Sequence, residues 1–237
     1  MPVAALKVDR MSTTAPTGTL PHVAVIGSGR MGEALTRVLA TSPYELAWAG
    51  RDPARLQHRT DELGLHHVQV RSIGEAITGS DIIILALWHH HALELAADHA
   101  HLLTGKVLVD IANPFTDDFS DFTTPETTSA AEELARTVPT AAVVGALKNT
   151  FWVVLEDPQF PEGTSDILVT ADDEHAKELV INLFGGLPFR ALDAGPLRNS
   201  RTIERMTLLS REIAIRYDHY PRATWRLLGQ PAVETLR

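Results

Sequence analysis

H-V-A-V-I-G-S-G-R-M-G-E, His22 to Glu33, is the stretch on which the fold turns. His22 to Ile26 reads as a buried β-strand, and it runs directly into a glycine-rich turn. A helix follows from Arg30 to Thr41, with Met31, Ala34, Leu35 and Val38 on its inner face. The G-x-G-x-x-G spacing between strand and helix has a mechanical meaning. Gly27 allows the tight turn, Gly29 lets the main chain approach a pyrophosphate, and Gly32 permits close packing of helix on strand. The N–H groups around Arg30 and Met31 then face the phosphates along the helix dipole. A plain glycine-rich turn is the competing reading, and the matching strand and helix on either side weigh against it.

Outward from this stretch, short β-rich runs alternate with helical ones. Strands are expected at Glu45 to Ala49, His67 to Val70, Asp81 to Leu87, Lys106 to Ile111, Ala142 to Leu147, Asp166 to Thr170 and Phe189 to Leu192. A second helix is expected over Pro53 to Leu63, and another opens at Ser129, where Glu132 completes a capping-box pattern. The nearly continuous apolar runs belong in a sheet covered on both faces. The expected fold is therefore α/β: a doubly wound, mainly parallel Rossmann sheet over residues 22–192 with a small helical C-terminal subregion, 193–237. Residues 1–21 read as a disordered leader, within which Met11 is an alternative start.

The 237 residues carry 21 Lys plus Arg against 30 Asp plus Glu, a formal charge of −9 that argues against a general nucleic-acid binder. The absence of Cys removes disulfide scaffolds, zinc ribbons and thiol nucleophiles. The longest apolar run, Ile82 to Trp88, is far short of the roughly 20 residues a membrane span needs. These features, with no secretory h-region, favour a cytoplasmic protein without a membrane partner. Charge is uneven, since residues 198–237 hold eight arginines against four carboxylates.

The tip of the second strand distinguishes NAD from NADP, because an acidic residue there would hold the ribose hydroxyls and repel a 2′-phosphate. This chain has Ala49-Gly50-Arg51 instead, with Arg55 one helical turn further on. A guanidinium fork suits phosphate, so NADP(H) is the expected cofactor; pairing of Arg51 with Asp52 is the alternative. The strand ends Ala86-Leu87-Trp88 and Ile111-Ala112-Asn113-Pro114 should open on the same edge as the glycine loop. There Trp88 and Pro114 could wall a planar nicotinamide and Asn113 hydrogen-bond its carboxamide, or all three could be ordinary packing.

No Ser/His/Asp set or carboxylate pair of definable geometry is present, and hydride transfer between stacked rings needs little such machinery. His89, His90 and His91 are adjacent on a helix, so they diverge by about 100° each and no metal site is assigned. Lys148 and Asn149 follow the sixth strand, as a contact to a second cofactor or as a strand-end polar turn. Asn113 to Thr128, with Phe115, Phe119 and Phe122 among Asp117, Asp118 and Asp121, reads as a lid or a mobile segment.

V-A-V-I-G-S-G-R-M-G-E-A-L, W-H-H-H-A-L-E-L-A, T-S-A-A-E-E-L-A, V-V-G-A-L-K-N-T-F and, most specifically, L-D-A-G-P-L-R-N-S-R-T-I-E (Leu192 to Glu204) resemble the NADPH-dependent reductases of the deazaflavin coenzyme F420. The glycine loop alone also resembles pyrroline-5-carboxylate reductase, and the cytosolic domain of the membrane metalloreductases is a further relative. The resemblance implies a homodimer that transfers a hydride between NADP(H) and F420 stacked in one cleft. It implicates Gly27, Ser28, Arg30, Met31, Arg51 and Arg55 for NADP, and Trp88, Asn149, Thr150, Pro196, Leu197, Asn199 and Arg201 for the second ring. Two departures stand out. The loop before Ser129 is longer and more acidic than the family pattern, and G-A-L-K-N-T-F has one residue more. The expectation keeps two alternatives: an NADPH-dependent reductase of a flavin, quinone, ferric chelate or imine, and a non-catalytic NADPH-binding sensor.

Overall fold

The computed structural model describes residues 20–229. The leader expected at residues 1–21 lies outside these, apart from its last two residues, as does the segment from residue 230. In chain order the first half comprises β1 (Val23–Ile26), α1 (Arg30–Leu39), β2 (Leu46–Ala49), α2 (Pro53–Glu62), β3 (Gln69–Arg71), α3 (Ile73–Thr78), β4 (Ile82–Leu85), α4 (His89–Asp98), α5 (Ala100–Leu103) and β5 (Val107–Asp110). After a loop come α6 (Ala130–Thr137), β6 (Ala142–Gly145), α7 (Trp152–Glu156), the small hairpin β7 (Gln159–Phe160) and β8 (Gly163–Thr164), β9 (Asp166–Ala171), α8 (Glu174–Gly185), β10 (Arg190–Asp193), a 3-10 turn (Leu197–Asn199) and α9 (Ser200–Arg216).

Six strands pair in parallel in the order β3-β2-β1-β4-β5-β6, so the strand order reverses between β1 and β4. This is the doubly wound Rossmann arrangement, and its ligands bind where the order reverses. β9 then runs antiparallel to β6, and β10 lies parallel to β9 at the edge. The mainly parallel sheet expected from the sequence is thus present. The hairpin of β7 and β8 escaped that reading because two-residue strands carry no measurable periodicity.

The apolar runs are continuous because alternate side chains feed two cores. Val23, Val25, Trp48, Ile82, Ile84 and Val109 face one layer, against Leu35 and Leu39 of α1 and Leu183 and Phe184 of α8. Ala24, Ile26, Ile83, Leu85 and Leu108 face the other, against Ile77 of α3, Ala92 of α4 and Leu134 of α6. Local signals fix the helix starts. Asp52 caps α2 by accepting from the Arg55 N–H, with proline at the first helical position, and Ser72 and Glu75 form a reciprocal capping box on α3. The box expected at Ser129 is half made. Its hydroxyl accepts from the Glu132 N–H, but the Glu132 carboxylate turns to the Ser129 hydroxyl and to Arg201 instead of the cap N–H.

The region after β10 is docked on the β6–β9 end of the sheet. Ser200 and Thr170 share a hydroxyl hydrogen bond of 2.7 Å, and a strap over residues 219–229 returns to β9. There the Asp166 N–H donates to the Trp225 carbonyl at 3.1 Å, while the Asp166 carboxylate accepts from the Leu227 N–H at 2.7 Å and from both ends of the Arg190 guanidinium.

Candidate dinucleotide and acceptor site

Gly27 leaves β1 with φ +135°, a conformation open to glycine and strained for any side chain. A Cβ there would stand 2.2 Å from the Ala86 carbonyl oxygen at the end of β4, and a Cβ on Gly32 would stand 2.1 Å from the Gly27 carbonyl oxygen. Both glycines are therefore consumed by close packing at the strand-order reversal. Gly29 differs, because beyond its own chain neighbours no protein atom lies within 4 Å of where its Cβ would be. Gly29 is also the N-cap of α1, with no side chain satisfying the first N–H groups of that helix. Open space beside uncapped donors at the positive end of a helix dipole is what a pyrophosphate requires.

Neighbouring strands pin the loop. The Gly27 N–H donates to the Ala49 carbonyl at 2.9 Å, and the buried Trp48 indole N–H donates to the Gly27 carbonyl at 2.8 Å. Nothing in the sequence singled out Trp48, since its alternation within β2 is that of any core residue. Ser28, Gly29, Arg30, Glu33, Arg59, Trp152 and Glu156 line a cleft of about 470 Å³ beside the loop. A smaller cavity of about 220 Å³ lies at the opposite, amino-terminal ends of the strands, lined by His22, Glu45 and Gln69, away from the reversal point. The Arg30 guanidinium lies 4.1 Å over the Trp152 ring, leaving its main-chain N–H at the helix start. Met31 is partly buried against the core.

At the tip of β2, Gly50 is buried with its Cβ position 3.1 Å from Leu56, and Arg51 and Arg55 are exposed. Among the described residues neither guanidinium pairs with a carboxylate; Asp52 instead caps α2. Of the two acids lining the cleft, Glu33 is neutralised by a two-pronged contact from Arg59 at 2.9 and 2.7 Å, and Glu156 accepts from Arg37 at 2.7 Å. The Arg59 hydrogen bond holds the Glu33 carboxyl below the ordinary value against the opposing effect of burial. The donors, the open space and the free guanidinium groups fit a dinucleotide with an extra phosphate.

The ends of β4 and β5 lie beside the loop. The Ala86 N–H donates to the Ile26 carbonyl at 2.8 Å, Leu87 is half-buried, and Trp88 caps α4 with 55% of its surface exposed. Asn113 donates from its amide to the Lys148 carbonyl at 2.8 Å, which leaves its buried Oδ1 without a partner. Pro114 is buried, and its carbonyl accepts from the Thr123 N–H at 2.7 Å. The loop that follows has its own hydrogen bonds, with the Thr116 N–H on the Asp121 carbonyl at 2.8 Å. Asp118 bonds the Thr116 and Ser120 hydroxyls and the Ser120 N–H, which lowers its pKa to about 2. Phe115 and Phe119 stack at 5.3 Å, and Phe119, at φ +60°, meets Trp88 edge-on at 6.1 Å.

Lys148 proved to be internal. Its ammonium donates to Asp110 Oδ2 at 2.7 Å and to the Ala112 carbonyl at 2.6 Å, and lies 2.8 Å from Glu204 Oε1, all three side chains being buried. Burial pushes the Glu204 carboxyl up, offset in part by Lys148; the Lys148 ammonium is disfavoured by burial, yet Asp110 and Glu204 together leave its pKa raised. The cluster ties the ends of β5 and β6 to α9, where Thr207 also donates to the Lys148 carbonyl. No spacing in the sequence signals it, because its members are 38 and 56 residues apart.

Asn149 and Thr150 are buried beside Lys148, and Asn149 Oδ1 and Thr150 Oγ1 lack partners. Pro196 opens the 3-10 turn, the Leu197 N–H donates to Asp172 at 3.0 Å, and Asn199 donates to the Ala194 carbonyl at 2.6 Å. Arg201 is engaged by Glu132 at 2.7 Å. His89 bonds Glu133 at 2.8 Å, His90 and His91 stack on each other, and among the described residues no three potential metal ligands converge.

Sheet order and glycine loop together define a Rossmann-type dinucleotide-binding protein. Residues 22–114 match the family model described as "NADP oxidoreductase coenzyme F420-dependent", and this part of the chain is similar to that family. The chain is 34% identical over 148 residues to the F420-dependent NADP reductase of Methanocaldococcus jannaschii, a match covering 60% of this chain and 66% of that protein. It is 29% identical over 189 residues to the metalloreductase STEAP3 of Rattus norvegicus, covering 79% of this chain and 36% of the relative. The chain thus spans about a third of one and just under two thirds of the other. Among solved structures, a protein from Arthrobacter sp. FB24 provisionally named an F420-dependent NADP-reductase superposes with a TM-score of 0.75 at 25% identity, covering 84% of this chain and 95% of that one. An imine reductase from Myxococcus stipitatus in complex with NADP+ shares the fold, with a TM-score of 0.62 at 17% identity over 84% of this chain and 63% of its own.

Proposed function

We propose that the protein is an NADP-dependent oxidoreductase that transfers a hydride between NADP(H) and the deazaflavin coenzyme F420. The observation that carries the reading is the start of α1: uncapped N–H donors beside the empty space at Gly29, where the strand order reverses. The F420-dependent relative supports the choice of acceptor. NADPH, when bound, supplies a hydride, and the acceptor is reduced by that hydride together with one proton.

The chain's own contribution is binding and orientation. The α1 N-terminus takes the pyrophosphate, and Arg51 with Arg55 takes the 2′-phosphate. Trp88 and Pro114 would wall the pyridine ring, and Asn113, whose buried Oδ1 lacks a partner, would take its carboxamide N–H. Asn149, Thr150, Pro196, Leu197, Asn199 and Arg201 remain the expected acceptor side, Arg201 acting through Glu132 unless that pair opens. Holding two flat rings in contact replaces a bimolecular encounter by an oriented one, a gain of order 7–11 kcal/mol at best.

Purified protein mixed with NADPH and oxidised F420 should bleach the deazaflavin absorbance band; an unchanged band overturns the acceptor assignment. Arg51→Ala should weaken NADPH by roughly 10- to 100-fold, the loss of a charged hydrogen bond, while leaving NADH nearly unaffected. Equal losses for both cofactors would remove the phosphate role.

A second reading, reduction of a flavin or ferric chelate, is favoured by the metalloreductase likeness over 79% of the chain, and an acceptor panel separates the two. The proposal includes a cytoplasmic setting and a homodimer, for which Leu209 and Ile213, exposed one turn apart on α9, offer apolar surface. Sedimentation equilibrium measures the assembly.

A further inference from the structure

A chain of edge-packed rings and cation–π contacts runs around the carboxyl edge of the sheet. It begins at the glycine loop, with Arg30 over Trp152 at 4.1 Å, and passes to Tyr220 at 6.3 Å from Trp152. Arg211 of α9 lies between two rings, 5.8 Å from Tyr220 and 5.3 Å from Phe119, and Phe119 meets the exposed Trp88 at 6.1 Å. Both ends therefore attach where the dinucleotide is proposed to lie. Arg211 differs from the other α9 arginines of this region. Arg201 is engaged by Glu132 and Arg205 by Asp121, whereas Arg211, among the described residues, has neither an ion pair nor a hydrogen bond.

We infer that Phe119 and Arg211 determine acceptor specificity: Phe119 with Trp88 offers apolar ring faces to a flat heteroaromatic acceptor, and Arg211 takes an anionic group carried by that acceptor. The inference rests on the NADPH-dependent reading above and deepens it. Three physical points carry it. A half-buried guanidinium held between two aromatic faces keeps its charge and its fixed orientation while its N–H edges stay available for an oxyanion. The φ of +60° at Phe119 fixes the ring at the loop tip, a conformation maintained by the hydrogen bonds of Thr116 and Asp118 around it. The Asp118 carboxylate, held ionised by its hydrogen bonds in the same loop, leaves Arg211 as the place for an acceptor's anionic group.

The test uses two acceptors with the same isoalloxazine ring, neutral riboflavin and phosphorylated FMN, and reads both tryptophan-fluorescence titration and NADPH-driven reduction. FMN should bind wild-type protein more tightly than riboflavin. Arg211→Gln should shrink that preference by about tenfold, the loss expected for one charge-assisted bond. Phe119→Gly, which suits the positive φ and so preserves the loop, should weaken both ligands alike by several-fold. NADPH affinity should be unchanged in both variants, and unaltered thermal unfolding certifies the fold. An FMN-to-riboflavin ratio unchanged by Arg211→Gln, or acceptor binding indifferent to Phe119→Gly, overturns the inference. Failure of wild-type protein to bind NADPH would instead overturn the underlying oxidoreductase reading, and the NADPH titration distinguishes the two.

Discussion

An alanine at position 29 would place one methyl in a space that no residue beyond its chain neighbours enters within 4 Å, whereas at position 32 the same methyl would stand 2.1 Å from a carbonyl oxygen. Two substitutions of identical chemistry, three residues apart, should therefore part company. Gly29→Ala is expected to keep unfolding free energy within about 1 kcal/mol of wild type, since a slightly worse cap is offset by a stiffer unfolded chain. It should nonetheless weaken NADPH tenfold or more by filling the phosphate's place. Gly32→Ala is expected to lose about 1–3 kcal/mol or more of stability, because α1 must shift off β1. Thermal melts and NADPH titrations on both variants check this, and equal stability losses would contradict the geometry. The sequence exposed the motif at this scale but not the division of labour within it. Gly27 and Gly32 answer to protein atoms and Gly29 to open space, which the proposed function gives to a phosphate, a difference that needs the position of Ala86, nearly sixty residues away.

Among elements, the joint between α6 and α9 carries a pH signature. The Arg201 hydrogen bond, foremost, holds the Glu132 carboxyl below its ordinary value of 4.5, aided by Ser129 and opposed by burial. A carboxyl whose folded pKa is depressed favours the folded state above its unfolded value, and the benefit disappears as pH falls through the folded one. Stability in urea should therefore decline below about pH 4.5, and Glu132→Gln should decline less steeply over the same range. A parallel decline would show that other carboxylates dominate. Ser129 and Glu132 could be read as a helix start because capping is local. The transfer of Glu132 to an arginine 69 residues away could not. The same distinction separates the α1, α2 and β1 boundaries, written in neighbouring residues, from the docking of α9, which is not.

For the whole molecule, the buried cluster of Asp110, Lys148 and Glu204 joins the sheet to its C-terminal region. Removing the ammonium alone leaves two carboxylates desolvated, so Lys148→Met should cost about 3–5 kcal/mol, with Glu204→Gln in the same chain restoring part of it. Unfolding should remain a single transition in wild type, because β5, β6 and α9 cannot separate without exposing that cluster. Two separate transitions would mean that α9 and the sheet fold independently. The doubly wound plan was legible because continuous apolar runs and a strand-turn-helix glycine motif are properties of neighbouring residues. The path of the aromatic loop, the internal lysine and the indole beneath Gly27 depend on contacts between distant segments.

Asp166 bonds Arg190 of β10 and the main chain of the 219–229 strap, and both lie further along the chain than Asp166 itself. During synthesis the ribosome releases the glycine loop first and the strap last of these. The glycine-loop half can thus assemble while the C-terminal region still lacks its final clasp. A chain halted before Trp225 would present a nucleotide cradle whose far wall has nothing to latch it.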